Sequence, residues 1–143
     1  MARLYRQAPL NSIWEGSGNV NALDVLRAIS REPASLMAML KEASVARGHL
    51  PTLDGALDDL ERDCAGLAGQ DPAVLATGAR RLVERLALTL QASLMVLHSP
   101  ADMAEAFVAS RLGGAKGETF GTLDAGLVDL AGARAIDRAG VGS

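Results

Sequence analysis

Residues 71–97 read DPAVLATGARRLVERLALTLQASLMVL, and in them Leu75, Ala79, Leu82, Leu86, Leu90, Ser93 and Leu97 recur at spacings of three and four. That period places them on one stripe of an α-helix. Asp71 supplies an N-cap acceptor, and Pro72 takes the first helical position, where a missing N–H costs nothing. At 1.5 Å per residue the helix is roughly 40 Å long, and an apolar stripe of that length needs several shorter partners. On either side, similar signals predict helices near 19–31, 33–46, 52–67 and 100–112, with Thr52 and Ser99 as further caps beside Pro51 and Pro100. A short leading helix ends near Ala8, and an irregular segment runs from Pro9 to about Gly18. After Leu112, GGAKGETFGTL is a glycine-dense loop, succeeded by a short helix around Asp124 to Arg134 and a frayed tail, AGVGS. The expected fold class is all-α, an antiparallel helical bundle.

Composition agrees. Of 143 residues, 26 are Ala and 22 Leu, against 17 of Val, Ile and Thr together, a balance that favours helix and nearly excludes a β-rich fold. The net charge of −3 gives no global reason for a polyanionic partner. Cys64, the single cysteine, cannot form an internal disulfide or a multi-cysteine metal site, so a reducing cytoplasm is the expected compartment. The longest strongly apolar stretch, Leu86 to Leu97, contains Thr89, Gln91 and Ser93 and is too short to span a bilayer, so no membrane partner is expected. The opening residues lack the apolar run of a secretory leader.

The segment Ile13-Trp14-Glu15-Gly16-Ser17-Gly18-Asn19 carries the chemistry. It sets one carboxylate between a large aromatic and two glycines, just before a helix starting near Asn19. Glycines allow close backbone approach, and a helix start offers free N–H groups and a positive dipole end to an anion. A carboxylate desolvated beside an indole has its pKa pushed upward, toward the range of a general base. The plainer reading makes Glu15 a loop acid, with Ser17 or Asn19 as a helix cap.

The longer stretch RLYRQAPLNSIWEGSGNVNALDVLR, residues 3–27, resembles the signature near the end of the C-terminal helical domain of the acyl-CoA dehydrogenase family, in its AidB-like, alkylation-response branch. AEAFVASRLGGAKGETFGTLDAG, residues 104–126, is similar to the C-terminal extension of that branch. The resemblance implies a bundle like that helical domain, with residues 1–31 as its end and 32–143 as the extension. It implies that Glu15 is the base taking the α-proton of an acyl-CoA thioester while a β-hydride passes to FAD, with Trp14, Gly16, Ser17 and Asn19 near the cofactor. Ser17 stands where threonine is usual and Asn19 where glutamine or glutamate is usual. Ala22 departs from an arginine common in the family, while Arg27 matches the arginine that closes the motif. A homo-oligomer is implied, as is a chain that forms the last quarter of a larger enzyme and is not competent by itself. The alternative is a non-catalytic helical module for oligomerisation or DNA contact.

Arg80, Arg81, Arg85, Arg111 and Lys116 are the candidate DNA-contact residues, opposed by Glu84 and by the acids Asp54, Asp58, Asp59, Glu61 and Asp63. Lys116 precedes Gly117 instead of Ser or Thr, so GGAKGET does not read as a P-loop. His49 falls in a turn, and His98 ends the long helix, where a cation suits the dipole. Neither has ligands at metal spacing, and no metal is expected. Met37, Met39, Met95 and Met103 read as packing residues.

Overall fold

Pro72–His98 form one helix of 27 residues, and the rest of the molecule is arranged on it. The computed structural model describes residues 2–10, 17–114 and 122–139. Among these lie α1 (Ala2–Gln7), α2 (Ser17–Arg31), α3 (Pro33–Ser44), α4 (Pro51–Ala65), α5 (Pro72–His98), α6 (Ala101–Arg111) and α7 (Ala125–Ala139), with no strand. The all-α expectation holds, and the boundaries expected for α3 to α6 fall within two residues of those observed.

Helices α3 to α6 form an up-down-up-down bundle. Leu57 of α4 clusters with Ala43 and Ala46 of one neighbour and Ala92 of another, while Leu60 meets Leu40, Leu82 and Leu86. Residue numbers therefore fall along α4 as they rise along α3 and α5, which is antiparallel packing. Val108 of α6 joins Ala92. Leu53, Leu57 and Leu60 are fully buried, each contributing about 1.5–3 kcal/mol through removal from water. Buried Ser93 donates its hydroxyl to the Thr89 carbonyl at 2.9 Å, so the polar members of the α5 stripe are satisfied within their own helix.

Two elements flank the bundle. Val25, Leu26 and Ile29 of α2 pack onto the lower cluster, so α2 shares a core with residues beyond position 31. Helix α7 lies on α6, buries Ala131, and is tied by Arg134 Nε donating to Asp102 Oδ2 at 2.6 Å. Exposed α1 adds little to the core, since residues 3–10 are all exposed.

The Asp71 cap is present, with Oδ1 accepting from Ala73 N–H at 2.8 Å. Asp71→Ala is expected to cost about 1 kcal/mol, read as a lower urea midpoint and faster amide exchange in the first turn of α5. The other two expected caps differ. Pro51 takes the first position of α4 behind Leu50, which leaves Thr52 inside the turn. Pro100 flanks α6 instead of starting it, and the Ser99 hydroxyl turns away to donate to Met95 Sδ at 3.3 Å. Met37, expected in the core, is 64% exposed because it falls on the outer side of α3. Helix α7 runs to Ala139, five residues past its expected end at Arg134, since nothing in AIDRA interrupts a helix.

Asp102 gives α7 a pH dependence. The hydrogen bond from Arg134 holds its carboxyl below the usual aspartate range, with the Met103 N–H adding to the effect. A depressed folded-state pKa contributes stability above the ordinary aspartate pKa and loses it as pH falls through the folded value. Amide protection factors in α7 are therefore expected to drop between pH 6 and pH 2 more than those in α5. Asp102→Asn should abolish the difference, and equal loss in both helices would refute the role of the pair.

Candidate functional site

The sequence places its functional segment immediately before α2, and α2 starts at Ser17, two residues earlier than expected. Ser17 and Asn19 thus sit in the first turn instead of capping it from outside. That turn carries no acidic residue of its own, and a helix start offers N–H groups and a positive dipole end. Trp14, Glu15 and Gly16 lie outside the described residues.

Helix α2 runs alongside the first half of α5, and the seam explains the alanine at position 22. A Cβ at Gly18 would lie 2.8 Å from Arg80 Nη2, so the guanidinium rests against the helix start and would swing aside for a larger residue there. Ala22 is 2% exposed and faces Ala79, also 2% exposed, across a groove of about 320 Å³ that includes Asn19, Thr77 and Arg80. An arginine at position 22 would not fit this contact. Arg27 instead points outward and pairs with Asp24 on its own helix.

The candidate DNA-contact arginines are distributed over three surfaces. Arg80 belongs to the α2 seam. Arg81 and Arg85 line a cleft beside the end of α4, and Arg85 with Arg111 lines a second groove containing Asp59 and Glu84. Arg85 is engaged by Asp63 and by Asp59, the latter at 3.8 Å. Lys116 lies outside the described residues.

The acidic run of α4 has an internal use that its composition did not disclose. Arg47, in the turn after α3, reaches both Asp58 and Glu61, which raises its own pKa further, the Asp58 bond most of all. Asp54 accepts the Gly48 N–H at 2.9 Å. Gly48 has φ +89°, a left-handed conformation that favours glycine, so the turn and the carboxylate fix each other. The signal in sequence was a lone arginine one short turn ahead of the acids.

Over 63 residues the chain is 53% identical to "Putative acyl-CoA dehydrogenase AidB" of Escherichia coli strain K12. It is similar there to an acyl-CoA dehydrogenase. The matched stretch is 43% of this chain and 12% of AidB, so the chain spans a small part of the length of this relative. No family model matches, and no solved structure matches.

Beside the similarity to AidB, the remaining candidates are structural. His49 Nδ1 lies 3.0 Å from the Ala46 carbonyl. Burial pushes the Cys64 thiol up, with Asp63 adding to the shift and Arg85 opposing it, which disfavours the reactive thiolate. Among the described residues, no group of three or more His, Cys, Asp or Glu is placed to hold a metal ion, and no helix is long and apolar enough to cross a membrane. Sequence reading missed Arg80 as the cation at the start of α2, and it missed the face shared by Val74, Gly78, Arg81 and Arg85, whose spacing of four, three and four was available to find it.

Proposed function

We propose that this chain supplies the active-site segment and C-terminal helices of an FAD-dependent flavoprotein of the acyl-CoA dehydrogenase type, catalysing α,β-dehydrogenation of an acyl-CoA thioester. The observation that carries the proposal is the 53% identity to AidB. In this reading Glu15 takes the proton from the thioester α-carbon, and Trp14 excludes water beside it, which strengthens the base. The first turn of α2 suits an anionic cofactor group, because it lacks an acid and has the Arg80 guanidinium against Gly18. Ser17 and Asn19 would offer a hydroxyl and an amide there, and Gly16 would allow close backbone approach. Bound FAD supplies acceptance of a hydride from the β-carbon. Residues 1–31 carry this segment, residues 32–143 form the helical extension, and homo-oligomeric assembly belongs to the same proposal. The proposal does not extend to DNA, since the arginines divide among three surfaces.

The test is a chimera in which this chain replaces the matching segment of AidB together with all residues C-terminal to that segment. The purified chimera is expected to retain flavin absorbance and to bleach anaerobically with an acyl-CoA from a short-, medium- and long-chain panel. A chimera with full helical content that holds no flavin would sink the proposal.

A further inference from the structure

Between the end of α4 and the first half of α5 lies a cleft of about 620 Å³, within the range that holds small ligands. It exists because α5 starts several residues beyond the turn that ends α4, and because Gly78 leaves its floor bare. Nothing lies within 4 Å of a Cβ built on Gly78. One end is aliphatic, lined by Leu67, Val74 and Leu75, and Val74 is 58% exposed.

The other end is lined by Arg62, Arg81 and Arg85, with the Asp63 carboxylate among them. Arg62 is paired with Asp59 at 2.8 Å, and Arg85 is held by Asp63 and Asp59. Arg81 has no hydrogen-bond or ion-pair partner among the described residues. Three guanidiniums stand against the two carboxylates Asp59 and Asp63, leaving one positive charge in a chain whose net charge is −3. A free guanidinium presents its N–H donors in a planar fork matched to a carboxylate or phosphate. Water satisfies such a group well enough, but it leaves the aliphatic end exposed.

We propose that this cleft binds an amphiphilic monoanion, with a carboxylate head on Arg81 and an aliphatic tail along Leu67, Val74 and Leu75. A hydrophilic anion would use only one end, and a neutral lipid only the other. The site adjoins the α2 seam at Thr77 but shares none of its other lining residues, and its occupancy does not require flavin.

Equilibrium dialysis of the 143-residue chain against dodecanoate, below its micelle-forming concentration, tests the proposal. Saturable binding at one site is expected, with acetate and inorganic phosphate at least about tenfold weaker, since each lacks the tail. Arg81→Gln should weaken dodecanoate at least about tenfold, consistent with loss of a charge-assisted pair, and Arg81→Lys should recover part of that loss. Arg111→Gln, in the other groove, should leave affinity unchanged, and circular dichroism checks that each variant keeps its helix content. Dodecanoate binding that is non-saturable or indifferent to Arg81→Gln overturns the proposal. So does Arg81-dependent binding of a short DNA duplex without binding of dodecanoate, which would make Arg81 a phosphate-backbone contact.

Discussion

Glu15→Gln is expected to slow acyl-CoA bleaching of the flavin in the AidB chimera by about 10²- to 10⁴-fold, the usual range for loss of a general base, while flavin content stays constant. The amide matches the carboxylate in size and can still hydrogen bond, but it cannot take a proton from the thioester α-carbon. The two readouts separate the roles: retention reports on the first turn of α2, and bleaching reports on proton removal. Glu15→Asp should fall between the two, since it keeps the base and shortens its reach by one methylene. If Glu15→Gln bleached at the unsubstituted rate, the base would lie elsewhere, whereas loss of flavin alone would point to a structural acid.

The largest stability effect is expected at Leu57. Leu57→Ala should lower the unfolding free energy by about 3 kcal/mol, near the lower end of measured Leu→Ala costs at fully buried sites. Its side chain is 0% exposed and shares its cluster with Ala43, Ala46, Ala92 and Val108, so helices α3, α5 and α6 all face the hole. The alanines of the cluster have no side chain long enough to swing inward, so partial refilling falls to Leu53, Val108 and the partly buried side chains packed against them, which places the cost at the lower end of the range. The expected signature in urea is a lower midpoint with an unchanged slope. Leu94→Ala, at a position 39% exposed on the same long helix, should cost under about 1 kcal/mol, because water already covers much of that side chain. A Leu57→Ala cost as small as that would show that the bundle closes around the hole.

Both the bundle and the candidate site were legible in sequence only to the depth at which short-range rules operate. The α5 stripe was readable because an i, i+3, i+4 repeat can be buried in only one way. Asp71 was readable because its acceptor and the N–H it serves are two residues apart. Thr52 and Ser99 misled for a related reason: a proline beside a hydroxyl marks a helix start within one or two residues, but not which side chain turns toward it. Ser99 found a partner in Met95, one turn back on the preceding helix. The motif around Glu15 could be read as a resemblance because it is contiguous, while Arg80 could not be placed at the start of α2, since 62 positions separate it from Gly18 in the chain.

The sequence by itself determined the helical class, the long central helix, most helix limits and the candidate base, because each depends on periodicity, local hydrogen bonding or a contiguous motif. Only the tertiary structure decided which charges are already paired. It gave Asp58 and Glu61 to Arg47 and Asp59 and Asp63 to Arg85, placed Arg80 on the start of α2, and made Ala22 a close contact with α5. Those assignments depend on which faces of separate helices meet, and that is set by the packing of Leu53 and Leu57 among alanines and of Leu60 among leucines from several helices at once. The same packing left Arg81 without a carboxylate and opened beside it the cleft over Gly78.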